Sequence, residues 1–111
     1  MTARRQGDRQ ALTVGHVCAA LERWAPRAWA YTWDKPGLAI GNASAPVRRV
    51  VTCLSVEPSV LRAARRAKAD LIVAHHPPIW EPLRTLDPGE PHTGLLLELA
   101  QAGIAVYATH T

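Results

Sequence analysis

The spacing of apolar residues changes several times along the chain, and each change marks an element. From Val14 to Trp24 the apolar positions Val14, Val17, Cys18, Leu21 and Trp24 recur at helical spacing, which predicts an amphipathic helix. Thr13 suits its N-cap and Pro26 its end. From Arg27 to Pro36, Trp29, Tyr31 and Trp33 alternate with smaller residues, compatible with a short edge strand or an extended loop. Gly37 to Gly41 reads as a short strand, followed by a turn over Asn42 to Pro46. Arg48 to Val56 reads as a mostly buried strand, apolar at Val50, Val51, Cys53, Leu54 and Val56.

Pro58 fits the first turn of a helix running to Ala67 or Lys68, with Val60, Leu61, Ala64 and Ala67 inward. Next, Leu71, Ile72, Val73 and Ala74 form an unbroken apolar run, as in a strand covered on both faces. Pro77 and Pro78 stop it, since neither has an N–H to give to a ladder. Strand, helix and strand so close together predict a βαβ unit with parallel strands and a right-handed crossover. Pro77 to Pro91 is loop-like, with a turn at Asp87-Pro88-Gly89. A helix over His92 to Ala102, with Leu95, Leu96 and Leu99 inward, is closed by Gly103. Ile104 to Ala108 then forms a last buried strand. The fold class expected is α/β: a layered, largely parallel or mixed sheet flanked by helices.

Composition narrows this picture. With 111 residues, 48% of them hydrophobic, the chain has a core for one domain, placed at 12–111. The net charge of +4 is local in origin. Arg4, Arg5 and Arg9 lie in a basic tail, residues 1–11, expected to be disordered; Arg62, Arg65, Arg66 and Lys68 share one helix. No RNA-binding signature, helix-turn-helix pattern or aromatic interleaving accompanies them, so a solvated helix face is favoured over a nucleic-acid partner. No run approaches a membrane span and the first residues lack a secretory apolar region. Cys18 and Cys53 have no metal spacing and read as buried reduced thiols. A cytoplasmic location is expected.

Candidate chemistry sits at His75 and His76, where the buried strand stops. Sites in open α/β sheets gather outside the carboxyl ends of strands, and the last strand should deliver His110 to the same edge. Neutral imidazole ligates zinc, iron, nickel and copper, and two adjacent histidines could serve two metals. The competing reading is that His75 and His76 cap the strand by bonding to loop carbonyls. Asp34, Glu81 and Asp87 are the carboxylates that could join them; His16 reads as a surface residue and His92 as structural.

Four stretches, in order, resemble one family. They are WDKPGLAIG at Trp33 to Gly41, VVTCLSVEPSVL at Val50 to Leu61, ADLIVAHHPPIWEPLRTLDP at Ala69 to Pro88, and GIAVYATHT at Gly103 to Thr111. Over residues 12–111 the sequence resembles the Ngg1-interacting-factor-three-like proteins, often labelled GTP cyclohydrolase I type 2-like. The resemblance implies an α/β protein with two divalent metal ions (zinc, iron or manganese), assembled as a toroidal homo-hexamer. It implies that His75 and His76 are metal ligands, with His110 near the site. The family's metal-binding aspartate would fall three residues after Thr111, and its later His-x-x-x-Glu ligands are absent, so the amino-terminal half of a larger protein is expected. Lys35 and Pro36 stand where asparagine and a small apolar residue are usual, and Ser55 where aspartate is usual. The implied function is a dinuclear metal-binding protein, a metal-dependent hydrolase of a nucleotide or phosphate ester. The alternative is a non-catalytic metal-binding or regulatory scaffold.

Overall fold

The structure, a computed structural model, describes residues 12–25 and 37–109. The basic tail, the tryptophan-rich stretch, Asp34, His110 and Thr111 lie outside the described residues. The elements are β1 (Leu12–Thr13), α1 (Val14–Trp24), β2 (Gly37–Ile40), β3 (Pro46–Val47), β4 (Val50–Cys53), α2 (Pro58–Ala67), β5 (Leu71–Ala74), α3 (Pro91–Gln101) and β6 (Ala105–Ala108).

The main sheet has the order β2-β6-β5-β4. Strands β4, β5 and β6 are parallel, with Val50 opposite Leu71 and Leu71 opposite Ala105, whereas β2 is antiparallel to β6. The sheet is therefore mixed. A second, two-stranded antiparallel sheet pairs β1 with β3.

Alternation along β5 and β6 divides the core into two layers. Ile72, Ala74 and Val106 face Leu61 and Ala64 of α2 and Leu95 and Leu99 of α3. Leu71, Ala105 and Tyr107 face Val14 of α1 and Val47, with Val17, Cys18 and Leu21 packed against them. Leu71, Ile72, Leu99, Val14 and Val106 are all fully buried, each contributing about 1.5–3 kcal/mol by leaving water. Covered on both faces and flanked by β4 and β6, β5 is the axis of the fold, as its unbroken apolar run predicts.

Local signals account for the helix ends. Thr13 Oγ1 accepts from the His16 N–H at 3.2 Å, and His16 Nδ1 accepts from the Thr13 N–H at 3.1 Å. Residue His16 thus closes a capping box in the place usually held by Glu or Gln. The next turn-starting amides are met by a loop: Val14 N–H donates to Ala45 O and Gly15 N–H to Ala43 O. Helix α2 ends at Lys68, which adopts φ 56°, ψ 44°, the left-handed conformation more usual for glycine. After α3, Gly103 takes φ 72°.

Four expectations need correction. The strand expected over Arg48 to Val56 is confined to Val50–Cys53 and is half exposed, with Val50 at 44%; among the described residues β4 lies at the edge of its sheet. Trp24 is 77% exposed, since the sheet-facing stripe of α1 ends at Leu21. Ala67, in the last turn of α2, is exposed rather than inward. Cys18 and Cys53 are free thiols but only partly buried. The cationic face of α2 is solvated: Arg62, Arg65, Arg66 and Lys68 are exposed, and Arg65 pairs with Glu98 of α3 at 3.5 Å.

Candidate functional site

In a regular strand successive N–H groups point to opposite neighbours and successive side chains to opposite faces. At the end of β5 this alternation breaks. The His75 N–H donates to Cys53 O at 3.1 Å and the His76 N–H donates to Leu54 O at 2.9 Å. Both amides thus address consecutive carbonyls of one neighbouring segment, the last residue of β4 and the residue after it, and the chain bends at this dipeptide. Two rings that a flat strand would send to opposite faces are brought together, their centroids 5.0 Å apart and their planes at 65°. Pro77, itself buried, follows at once and holds the chain out of the ladder.

The neighbour supplies a side chain as well. Ser55 Oγ and His76 Nδ1 are 2.7 Å apart, a short hydrogen bond between half-buried residues. The pairing joins residues just past the two strand ends: β4 stops at Cys53, opposite Ala74 of β5, and Ser55 and His76 each lie two residues beyond. The Nδ1 atom of His75 is buried. Beside the pair, burial first and then the charge of Glu57 raise the Cys53 thiol above its ordinary range, so at neutral pH it is a protonated thiol rather than a thiolate ligand.

Beyond the histidines, the start of α3 clamps both ends of the long loop. The carbonyl of Pro78 can only accept, so His92 Nε2 donates to it, at 2.7 Å. Buried Thr93 donates its hydroxyl to Asp87 O at 2.8 Å and accepts from the Asp87 N–H at 3.2 Å. Glu90 caps α3, its carboxylate accepting from the N–H groups of Thr93 and His92 at 2.8 and 3.1 Å. Those backbone bonds, Thr93's first, hold the Glu90 carboxyl below its ordinary pKa. The loop is a tied bridge, with Trp80, Leu83 and Leu86 exposed along its middle.

These positions sort the sequence candidates. The rings of His75 and His76 lie together at the end of β5. His110 lies outside the described residues, yet β6 leads toward the same edge: Ala108 is opposite Ala74, and Thr109 N–H donates to Ala74 O at 2.9 Å. His92 is structural, and it makes the loop-carbonyl bond that was the competing expectation for the histidine pair. Asp87 is a turn residue, its Oδ1 accepting from the Gly89 N–H, and Glu81 is exposed in the loop. Ser55 is the site residue that motif reading did not single out as a partner; only the folded structure brings it to His76.

A metal pair fits these donors in part. Two imidazoles suit zinc or iron, but a closed site takes four ligands and a catalytic one about three from protein. Among the described residues, no group of three or more His, Cys, Asp or Glu is placed to hold an ion. His75 and His76 can thus begin a ligand set without completing it.

Comparison with known proteins gives this geometry its context. Residues 12–111 match the family model Duf34/NIF3 (NGG1p interacting factor 3). The chain is 40% identical over 95 residues to the "GTP cyclohydrolase 1 type 2 homolog" of Bacillus subtilis, covering 86% of this chain and 26% of that protein. It is 34% identical over 100 residues to the "GTP cyclohydrolase 1 type 2" of Helicobacter pylori, covering 88% and 40% respectively. Among solved structures, a Bacillus cereus protein related to NIF3 superposes with a TM-score of 0.79 at 34% identity, over 86% of this chain and 26% of that one. A Staphylococcus aureus hypothetical protein superposes with a TM-score of 0.86 at 25% identity, over 90% and 28%. This chain therefore spans a quarter to two-fifths of the length of these relatives. With its family model matched from the first described strand to Thr111, the chain belongs to the Duf34/NIF3 family.

Proposed function

We propose that His75 and His76 are ligands of a two-cation centre, and that the completed centre hydrolyses a nucleotide or a phosphate ester. The observation that carries this reading is the bend at the end of β5, which sets two imidazoles 5.0 Å apart at the carboxyl edge of a parallel sheet. The nucleotide class is supported by relatives that bear the name GTP cyclohydrolase 1 type 2 homolog. In this reading further ligands come from residues other than those described, among them His110, which follows Thr109 in sequence.

When bound, divalent cations supply Lewis acidity and a water that is acidic enough to react near neutral pH. The chain's own residues do the rest. His75 and His76 offer neutral imidazole lone pairs. The carbonyls of Cys53 and Leu54 fix their backbone, and His92, Thr93 and Glu90 hold the loop that borders them. The homo-hexamer implied by the family resemblance, and the cytoplasmic setting expected from the reduced cysteines, belong to the same proposal. No helix among the described residues is long and apolar enough to cross a membrane.

Turnover of guanosine triphosphate and of p-nitrophenyl phosphate, with zinc, manganese or ferrous iron added, tests the reading. Loss of turnover in His75→Ala, with the circular dichroism spectrum unchanged, is the expected result. Turnover that survives His75→Ala would overturn it. Tight metal retention with no turnover of either compound would favour the non-catalytic scaffold instead.

A further inference from the structure

We propose that the amino edge of the main sheet, where Arg48 and Arg49 meet the basic stripe of α2, docks the phosphate backbone of a nucleic acid without reading its sequence. This surface lies at the opposite end of the strands from His75 and His76, and it is independent of the metal-centre reading.

On α2, Arg62, Arg65 and Arg66 are three and four residues apart and so share one face. All three are exposed, as is Lys68 at the helix end, whereas Leu61 and Ala64 on the inner face are buried. Taken alone, this stripe is a solvated helix face, and Arg65 and Arg66 are placed to favour the negative end of the helix dipole. That account does not extend to Arg48 and Arg49, which are exposed and precede β4, outside any helix. The fold brings them beside the end of α2. Lys68 N–H donates to Arg65 O at 3.1 Å and Ala69 N–H to Ala64 O at 2.9 Å, which fixes the cap to the last turn. Asp70 N–H then donates to Arg49 O at 2.9 Å, and Asp70 Oδ2 accepts from the Arg48 and Arg49 N–H groups at 2.8 and 3.1 Å. Six cationic residues are thus carried on one hydrogen-bonded backbone frame.

Their charge is poorly balanced. Among the described residues, Arg65 alone of the six forms an ion pair, with Glu98 at 3.5 Å, and both partners are half exposed, so the pair is weak. Asp70 is the other carboxylate of this frame. Glu57, Glu81, Asp87 and Glu90 follow the carboxyl ends of β4 and β5 instead. The surface therefore complements a polyanion. Five of the six cations are arginine, whose planar fork grips phosphate through two hydrogen bonds. A nucleic-acid duplex presents about one negative charge per 1.7 Å. An extended acidic polypeptide reaches at most one per residue, or about 3.3 Å. A membrane surface suits α2 less well, because its apolar face is already buried in the core. From Arg48 to Asp70 the sequence has no aromatic residue to stack on a base, so the contacts are to phosphates and carry no sequence preference.

The test is fluorescence anisotropy of a labelled mixed-sequence DNA duplex with the 111-residue chain over a series of salt concentrations. A dissociation constant of about 10⁻⁴–10⁻⁶ M near physiological salt is expected, with a logarithmic salt slope of about −0.9 for each phosphate contact. Arg48→Gln/Arg49→Gln, which keeps both backbone bonds to Asp70, and Arg62→Gln/Arg66→Gln should each make the slope shallower by about 2. Arg23→Gln/Arg84→Gln removes the same charge from exposed positions elsewhere and should leave the slope unchanged. Equal loss of slope in all three variants, or no binding at about 50 mM salt, would overturn the proposal. So would binding that is abolished by Arg4→Gln/Arg5→Gln/Arg9→Gln and untouched by the two edge variants, since it would then belong to the basic tail. Polyglutamate that displaces the duplex as well as unlabelled duplex does, at equal charge, would assign the surface to an acidic protein and overturn the nucleic-acid partner.

Discussion

Nε2 of His92 and the carbonyl oxygen of Pro78 meet at 2.7 Å, joining the first turn of α3 to the second proline after the histidine pair. The bond ties the loop back just where the chain has left the sheet. His92→Ala should cost about 0.5–1.5 kcal/mol, as for an ordinary intramolecular hydrogen bond. It should also speed amide exchange across residues 79–86 while leaving the β5 amides protected. Hydrogen exchange measured by mass spectrometry checks both, and uniform exchange with and without the ring would count against the clamp.

Gly94 is required by a close approach rather than by an unusual backbone angle. A Cβ placed there would stand 2.6 Å from the carbonyl oxygen of Pro88, a backbone atom that cannot swing aside. Gly94→Ala should therefore destabilise by about 1–3 kcal/mol despite alanine's better helix propensity. Urea denaturation is the measurement, and a neutral or stabilising effect would contradict this packing.

Glu90 makes stability depend on pH at the acid end. Its folded-state pKa lies below the unfolded value because its charged form accepts two backbone bonds. The stabilisation is present above the unfolded value of ~4.3 and is lost as pH falls through the lower folded value. Glu90→Gln should flatten that part of the profile, leaving stability at neutral pH less affected by acidification than in the wild type. Thermal melts between about pH 3 and pH 6 would show it.

Lys68 holds a left-handed conformation at the end of α2 that costs a side-chain-bearing residue roughly 1 kcal/mol. Lys68→Gly relieves this at the expense of a floppier unfolded chain, so a net gain of a few tenths to about 1 kcal/mol is expected in denaturant melts.

Cys53 should behave as a poorly reactive thiol. Burial and the nearby Glu57 carboxylate both disfavour its thiolate. Iodoacetamide at about pH 8 should modify it several-fold more slowly in the native chain than in urea, as read by peptide mass spectrometry. Equal rates would contradict its burial.

Much of the architecture was legible locally. The apolar run of β5, Pro58 at the start of α2, and Leu95, Leu96 and Leu99 in α3 each carry their period within a few residues. The parallel pairing of β4 with β5 follows from the short helix between them. What depends on strand order was not legible: β4 reads as buried from its composition, but among the described residues its outer edge has no neighbour in the sheet β2-β6-β5-β4. The histidine pair was legible as chemistry, because two imidazoles before two prolines end a strand. Its geometry was not, since the approach of the rings comes from two successive amides turning to one neighbour. The contact of Ser55 with His76 was not legible either, since the two are 21 residues apart in sequence. His16 was read as a plain surface residue because capping boxes are recognised by Glu or Gln, and its ring nitrogen does the same work.

The proposed centre requires His75 and His76 to bind metal as a pair. Native mass spectrometry of the 111-residue chain titrated with zinc, beside a His75→Ala/His76→Ala variant that retains its circular dichroism spectrum, measures this most directly. Zinc adducts are expected on the wild type that the double variant lacks. Equal zinc uptake by both proteins would contradict it.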